Sequence, residues 1–105
     1  MSITLADVEA AATRLNGQLV RTPFSQSKTL SAQLGCELFI KFENQQFTAS
    51  FKERGALNSL LKNPQKVSGG VIAMSAGNHA QALAYHGTRL GVPTTIVMPR
   101  ITPNA

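Results

Sequence analysis

Apolar and polar residues follow one another along this chain with two different periods. In four segments the apolar residues recur three or four positions apart, which is the spacing of the buried face of a helix. The four predicted helices span residues 4–15, 27–34, 51–62 and 78–90. Three shorter segments are continuously apolar or alternate at every second residue, as buried or half-buried strands do. The three predicted strands span residues 36–42, 71–74 and 94–98.

Capping and turn-forming residues mark the ends of these segments. Thr4 and Asp7 form a capping-box pattern at the start of the first helix. Gly35 follows the second helix, where a left-handed residue is the usual stop. Asn63 and Pro64 predict a break after the third helix, because proline cannot continue a helix that precedes it.

The order of the later segments predicts the fold class. From residue 36 onward the order is strand, helix, strand, helix, strand. Apolar strands that alternate with helices indicate a three-layer α/β fold with a parallel sheet. Three strands leave the edges of such a sheet bare, and two helices cannot cover both of its faces. The chain also ends soon after a strand, so we interpret it as the N-terminal fragment of a longer α/β protein.

Composition restricts the class of protein further. The chain has 105 residues, of which 43% are hydrophobic and 14% are charged, as in folded globular proteins. It has neither an apolar run long enough to span a membrane nor a signal-peptide pattern, so we expect a cytoplasmic protein without membrane contact. Its single cysteine, Cys36, excludes an internal disulfide framework, and we expect its side chain to be buried.

The formal net charge of +5 arises entirely in the second half of the chain. Residues 1–53 contain five basic and five acidic side chains, whereas residues 54–105 contain five basic ones and no acidic one. These five are Arg54, Lys62, Lys66, Arg89 and Arg100. Because they are dispersed, with Tyr85 as the only aromatic residue among them, they do not predict a nucleic-acid-binding surface.

Two short segments carry candidate chemistry, and the first is residues 50–56. Here Lys52 lies in the first turn of a predicted helix. The positive end of the helix dipole disfavours a cation at this place, and burial would further favour the neutral, nucleophilic amine. Phe51 beside it offers a flat apolar surface. From the residues alone, an ordinary solvated lysine remains the open alternative.

The second segment, residues 75–81, joins a predicted buried strand to the start of a helix. Free backbone N–H groups at such a start suit a carboxylate or a phosphate, and Gly77 allows a ligand to approach closely. Ser75 and Asn78 add hydrogen-bonding side chains. Alternatively, Asn78 is the N-cap of the helix, and the two roles are compatible.

Other polar residues predict structural roles. His79 and His86 lie two helical turns apart without a third ligand, so no metal site is predicted, although His79 remains a candidate for contact with a substrate. Glu53 and Arg54 are expected to face solvent or a neighbouring element. Glu43 is expected to brace the end of a strand.

Three motifs follow one another in the chain. They are Lys41-Phe42-Glu43-Asn44-Gln45-Gln46, SFKERGA at residues 50–56, and SAGNHAQ at residues 75–81. Together they resemble the motifs of the fold-type II pyridoxal-phosphate enzymes, which have the two-domain, tryptophan synthase beta-like fold. Within that group the chain is most similar to threonine (serine) dehydratases. The resemblance runs from the first helix to the last residue and includes Arg21-Thr22-Pro23 and Met98-Pro99.

This resemblance implies roles for the residues of both segments. Lys52 matches the catalytic lysine that holds pyridoxal 5′-phosphate and moves protons at the α-carbon of the substrate, which decides against the solvated alternative. Phe51 matches the residue whose ring lies against the cofactor. Asn78 matches the residue that hydrogen-bonds the 3′ oxygen of the cofactor. The loop that grips the substrate carboxylate corresponds to Ser75, Ala76, Gly77, Asn78 and His79.

The implied activity is a β-elimination that converts L-threonine to 2-oxobutanoate, or L-serine to pyruvate, with release of ammonia. Serine racemase and hydroxyaspartate ammonia-lyase, which share the scaffold, are the alternatives, together with a non-catalytic fragment. The resemblance also implies a role in amino-acid metabolism such as isoleucine biosynthesis. It further implies a small-molecule amino-acid substrate and a homo-oligomer for the full-length protein.

The resemblance divides the chain into parts of two domains. Residues 1–68 correspond to the N-terminal part of the large cofactor-binding domain, and residues 69–105 correspond to the start of the small domain. The family's phosphate-binding loop and the group that faces the pyridine nitrogen match nothing in these 105 residues. We therefore expect the 105 residues alone to be inactive.

Overall fold

Five helices and four short strands form in residues 2–103, the part of the chain that the computed structural model describes. The helices are α1 (Leu5–Leu15), α2 (Lys28–Leu34), α3 (Lys52–Lys62), α4 (Pro64–Val67) and α5 (Asn78–Leu90). The strands are β1 (Phe24–Gln26), β2 (Phe39–Lys41), β3 (Val71–Met74) and β4 (Thr94–Val97). A 3-10 turn, Glu43–Gln45, follows β2. None of these helices is both long enough and apolar enough to cross a membrane.

The predicted capping residues do end the helices. The Thr4 hydroxyl accepts a hydrogen bond from the Asp7 amide at 3.3 Å, and the Asp7 carboxylate accepts one from the Thr4 amide at 2.9 Å. Gly35 and Gly91 adopt left-handed conformations after α2 and α5, with φ of 68° and 69°. Pro64 was predicted only as a break, but it opens the short helix α4, because its fixed φ suits the first turn of a helix.

The four strands described above form two separate two-stranded sheets. β3 and β4 pair in parallel, from Val71 opposite Thr94 to Met74 opposite Val97, which confirms the α/β fold class. β2 pairs with β1 instead, and this pair is antiparallel. The prediction that residues 36–42 join the parallel sheet is therefore wrong.

The physical reason is a partner for β2 that lies close in the chain. β1 has only three residues, too few to show a readable apolar period. α2 returns the chain from β1 to β2 over a short distance, so closing this loop costs little conformational entropy. Hydrogen bonds extend the pair at both ends: the Ser27 amide donates to the Leu38 carbonyl at 2.9 Å, and the Phe42 amide donates to the Pro23 carbonyl at 3.0 Å.

The core lies between α3, α5 and one face of the β3–β4 sheet. Its fully buried residues are Ala56 and Leu60 of α3 and Ala82 and Leu83 of α5. Half-buried residues from the sheet and the following segments pack against them, namely Val71, Ala73, Leu90, Val92 and Ile96. The opposite face of this sheet carries exposed apolar residues, namely Ile72, Met74 and Val97. This packing holds α3 and α5 side by side.

The prediction that Cys36 is buried is wrong. Cys36 is exposed, because the strand that it was expected to open begins only at Phe39. On α5, Ala82 and His86 are fully buried, and both α3 and β4 contact this helix.

Candidate functional site

Lys52 is the first residue of α3 and follows a tight turn formed by residues 46–51. In this turn the Ala49 amide donates a hydrogen bond to the Gln46 carbonyl at 2.9 Å, and the Lys52 amide donates one to the Ser50 hydroxyl at 3.2 Å. Ala49 is the only non-glycine residue with positive φ in the described part of the chain, at 56°. A left-handed residue with a side chain costs about 1–2 kcal/mol, so surrounding contacts must hold this turn in place.

The Lys52 side chain lies beside an aromatic ring at an open cleft. Its Nζ is 5.2 Å from the centre of the Phe51 ring, and Phe51 is 61% exposed. The cleft has a volume of about 370 Å³ and is lined by the first residues of α3 and by His79 of α5. Among residues 2–103 the Lys52 amine has no ion-pair partner, so it is available to a ligand.

The segment predicted to bind an anion is the loop between β3 and α5. The Ser75 amide donates to the Val97 carbonyl at 3.1 Å, and the Ser75 hydroxyl accepts from the Gly77 amide at 3.3 Å. Gly77 takes the N-cap position and Asn78 is the first residue of α5, so the alternative in which Asn78 caps the helix is wrong. Because no side chain caps α5, its first N–H groups remain open to an anion.

The structure brings three of the predicted site residues together, since Phe51, Lys52 and His79 line the same cleft. The other predicted residues precede His79 in the chain and do not line this cleft; they are Ser75, Ala76, Gly77 and Asn78. Ala76 and Asn78 are exposed. A larger cleft of about 480 Å³ lies between α1 and α3 and contains none of the predicted residues, so size alone does not identify the site.

A bidentate ion pair anchors α3 to the segment after β2. Arg54 Nε and Nη2 donate to the two carboxylate oxygens of Glu43 at 2.7 and 2.8 Å. The Thr22 hydroxyl donates to the same carboxylate at 2.6 Å, and the Gln46 side-chain amide donates at 3.3 Å. The bond from Arg54 above all lowers the pKa of Glu43 to about 2, and the same contact raises the pKa of Arg54. Glu43 thus braces the end of β2, as predicted, by binding α3.

The sequence pattern did not reveal the most deeply buried polar pair. The side chains of Glu53 and His86 are both 0% exposed, and His86 Nε2 lies 2.9 Å from Glu53 Oε1. Of the two surroundings predicted for Glu53, the neighbouring element is therefore the correct one. The pKa of His86 is lowered, mainly by burial and also by the Arg89 cation, although the Glu53 carboxylate acts in the opposite direction. Within residues 2–103, no three His, Cys, Asp or Glu side chains are grouped closely enough to hold a metal ion.

Helical spacing contained a signal for this pair. Glu53 precedes Ala56 and Leu60 by three and seven positions, so it belongs to the apolar face of α3. His86 follows Leu83 by three positions on the apolar face of α5. A polar side chain on the buried face of each of two helices must find a partner, and the simplest partner is the other one.

Comparisons with known proteins found relatives of this chain. The profile of the family described as "Pyridoxal-phosphate dependent enzyme" matches residues 15–105. Over 100 residues the chain is 49% identical to an L-threo-3-hydroxyaspartate ammonia-lyase of Pseudomonas sp., which covers 94% of this chain and 31% of that protein. Over 102 residues it is 44% identical to an L-threonine ammonia-lyase of Thermotoga maritima, which covers 96% of this chain and 25% of that protein.

Solved structures give the same result for the fold. Maize serine racemase matches the chain with a TM-score of 0.87 and 36% sequence identity. The match covers 98% of this chain and 32% of the racemase chain. The chain therefore spans about a third or less of the length of each relative that it matches.

Proposed function

Because the chain belongs to the pyridoxal-phosphate-dependent enzyme family and has the fold of its fold-type II members, we propose that it builds one side of an active site for β-elimination. The cofactor is pyridoxal 5′-phosphate. The proposed substrate is an L-amino acid with a β-hydroxyl group, in the first place L-threonine or L-serine. The products are 2-oxobutanoate or pyruvate, with ammonia. The observation that carries the proposal is the position of the Lys52 amine, which lies at the start of α3 in one cleft with Phe51 and His79 and has no ion-pair partner among residues 2–103.

The residues at the cleft, together with Asn78 beside His79 in the chain, fit this cofactor in their chemistry. Pyridoxal phosphate attaches covalently to a primary amine, and Lys52 presents one without an ion pair to any described residue. The exposed Phe51 ring offers a flat surface for a pyridine ring, and the Asn78 side chain offers a hydrogen-bond donor for its 3′ oxygen. When bound, the cofactor supplies an electron sink for the α-carbon of the substrate.

Lys52 is proposed to hold the cofactor and then to carry the α-proton. Lys52 is the first residue of α3 and lines the cleft together with Phe51 and His79. In its neutral form a primary amine can both attack a carbonyl group and accept a proton.

The start of α5 is proposed to bind the substrate carboxylate. Gly77 caps the helix without a side chain, so the first backbone N–H groups of α5 can donate to an anion. The Ser75 hydroxyl is already fixed by the Gly77 amide, which orients it at the end of β3. His79 faces the cleft that contains Lys52, so a carboxylate held here would place the α-carbon near the amine. Lys52 then removes the α-proton, and the β-hydroxyl group takes up one proton and leaves as water.

Ala76 supports elimination over racemisation. In racemase-like members of the family that this chain resembles, a serine occupies the position of Ala76. Its hydroxyl group exchanges a proton with the α-carbon on the face opposite the lysine. Racemisation requires an acid or base on each face of the α-carbon, and Lys52 supplies only one. The methyl group of Ala76 has no proton to exchange, so we expect chemistry on one face only.

A second candidate substrate is L-threo-3-hydroxyaspartate. It is favoured by the 49% identity to a lyase named for that substrate, against 44% for the threonine lyase. Both reactions are eliminations of a β-hydroxyl group and require the same role of Lys52. The two reactions differ only in the residues that must recognise the side chain of the substrate.

Covalent mapping tests the role of Lys52. The natural protein, loaded with pyridoxal phosphate, is reduced with borohydride and digested, and the modified peptide is identified by mass spectrometry. We expect the cofactor on Lys52, with loss of all labelling at this site in Lys52→Ala and unchanged labelling in the matched variant Lys62→Ala. Label on Lys41 or Lys62 in the unsubstituted protein would overturn the assignment.

A substrate panel tests the reaction. The natural protein is incubated with L-threonine, L-serine and L-threo-3-hydroxyaspartate, 2-oxo acids are quantified, and the remaining amino acid is resolved by chiral chromatography. We expect 2-oxo acid from at least one substrate and negligible D-isomer. Abundant D-serine with little pyruvate would favour the racemase, and the absence of any product would favour the non-catalytic alternative.

The proposal extends to domains and assembly. We assign residues 1–68 to the large domain and 69–105 to the start of the small domain, with Gly70 at φ 109° turning the chain into β3. We expect the natural protein to form a homo-oligomer, to be cytoplasmic and to serve amino-acid metabolism such as isoleucine biosynthesis. Light scattering measures the oligomeric state of the natural protein, and cell fractionation determines its location in the cell.

A further inference from the structure

A chain of polar side chains runs through the buried interface between α3 and α5. It begins at Glu53, the residue after Lys52, and continues through His86 to Arg89. Glu53 and His86 are both 0% exposed, whereas Arg89 reaches the surface and also donates to Gln18 at 3.1 Å. The reaction outlined above gives none of these residues a role, so the cost of burying a carboxylate here requires another explanation.

The hydrogen bonds define the protonation of this chain. Arg89 Nε donates to His86 Nδ1 at 3.3 Å, so Nδ1 carries the lone pair. The ring proton must then be on Nε2, which donates to Glu53 Oε1 at 2.9 Å. His86 is therefore neutral and lies between the Arg89 cation and the Glu53 carboxylate. Burial, which lowers the pKa of His86, acts in the same direction.

The second oxygen of the Glu53 carboxylate holds the turn that precedes Lys52. Glu53 Oε2 accepts from the Thr48 amide at 2.7 Å and from the Thr48 hydroxyl at 2.8 Å. Thr48 is followed by Ala49, whose φ of 56° requires outside support. Glu53 therefore ties the turn that precedes α3 to the first turn of that helix.

We propose that Glu53, His86 and Arg89 form a positioning relay that holds the turn of residues 46–51 and thereby fixes the direction in which Lys52 leaves α3. The inference rests on the proposed role of Lys52. Because His86 belongs to α5, the relay also ties this turn to the helix that carries His79, so both walls of the cleft keep one relative placement. These three are positioning residues and do not touch the substrate.

Hydrogen exchange of the cofactor-free natural protein tests the relay without using activity. His86→Leu removes the donor to Glu53, whereas His86→Gln keeps a donor of similar reach and an acceptor for Arg89. We expect exchange of the Thr48 amide to accelerate about tenfold in His86→Leu, because the Glu53 carboxylate that accepts from this amide loses its bond to His86. In His86→Gln the acceleration should be less than about threefold. The matched control is Asn58→Ala, which removes the bond from Arg14 to α3 at 3.0 Å on another face.

Arg89→Leu provides a second variant in case His86→Leu does not fold, because Arg89 is exposed. In the unsubstituted protein, the 15N spectrum should show His86 protonated at Nε2 only, and in Arg89→Leu the Nδ1 resonance should move. In the cofactor-loaded protein, His86→Leu should lower kcat at least fivefold with KM changed less than twofold, and His86→Gln should restore kcat.

The relay is overturned if His86→Leu exchanges like Asn58→Ala, if His86→Gln behaves like His86→Leu, or if Nδ1 proves to be protonated. These failures differ from a failure of the proposed function. If the reduced cofactor maps to another lysine, the role of Lys52 fails and the positioning proposal fails with it. If it maps to Lys52 while exchange and kcat are unaffected in His86→Leu, only the relay is refuted.

Discussion

Glu43 and Glu53 both anchor the start of α3, but their surroundings differ. The Glu43 side chain is 13% exposed and its partner Arg54 is 37% exposed, so water and salt reach this ion pair. Glu53 and His86 are fully enclosed, and the partner of the carboxylate is a neutral ring instead of a cation. Removing a partner from the first pair lets water replace it, whereas removing one from the second leaves buried groups unsatisfied. Hydrogen bonds of similar length therefore contribute differently to the free energy of unfolding in these two pairs.

The largest effect is expected for Glu53→Ala. This change leaves the His86 ring proton and two Thr48 donors without an acceptor inside the protein. We expect a loss of about 3 kcal/mol in the free energy of unfolding of the natural protein, measured with urea. The double substitution Glu53→Leu with His86→Leu should recover most of it, because the buried polar groups are then absent. A loss below about 1 kcal/mol in Glu53→Ala would show that the pair is no more important than an exposed one.

The second effect is a loss of stability in mild acid, caused by His86. Glu53, Arg89 and the edge-on Tyr85 ring face this imidazole, and burial lowers its pKa below the ordinary 6.5. The unfolded chain therefore binds the proton more tightly than the folded one, so stability is complete above pH 6.5 and falls as the pH drops below it. Urea midpoints at pH 7.5, 6.5 and 5.5 measure this fall. The decrease of the urea midpoint with falling pH should be smaller in His86→Gln than in the unsubstituted protein. Equal decreases in the two proteins would contradict the role of His86.

The exposed pair should have a smaller effect, at lower pH. Glu43→Gln keeps the shape but removes the charge that Arg54 binds, and we expect a loss of about 1–2 kcal/mol near pH 7, discounted for solvent screening. The pKa of Glu43 is about 2 in the folded protein against 4.5 ordinarily, so this contribution is present above pH 4.5 and is lost toward pH 2. Denaturation from pH 5 to 2.5 should show a steeper fall in the unsubstituted protein than in Glu43→Gln. Parallel denaturation curves for the unsubstituted protein and Glu43→Gln would refute this contribution of Glu43.

The smallest effect is expected for Arg54→Lys. A lysine retains the charge but cannot form the two parallel bonds of 2.7 and 2.8 Å to Glu43. We expect a loss of about 0.5 kcal/mol that shrinks further in 0.5 M salt, measured by urea denaturation at both salt concentrations. A loss comparable with that of Glu53→Ala would remove the distinction between the two carboxylates.

Element boundaries were predictable because their causes are local. The Thr4 capping box and the left-handed Gly35 depend on residues within a few positions of each other. The predicted bounds of β3 and of α5 agree with the structure for the same reason. Local determinants also placed Phe51 and Lys52 at a helix start, which is the part of the candidate site that the sequence reveals directly.

Contacts between distant residues were not predictable in this way. The hydrophobic period of β2 is the same whether its neighbour is β1 or β3, so the pattern could not select the antiparallel partner. His79 reaches the cleft of Lys52 only because α3 packs against α5. Glu53 and His86 are 33 positions apart, and although each lies on the apolar face of its helix, no local pattern shows that these two faces meet. Local sequence sets which backbone conformation each segment prefers, whereas which faces meet depends on how the helices and strands share one core, and that free energy belongs to no single segment.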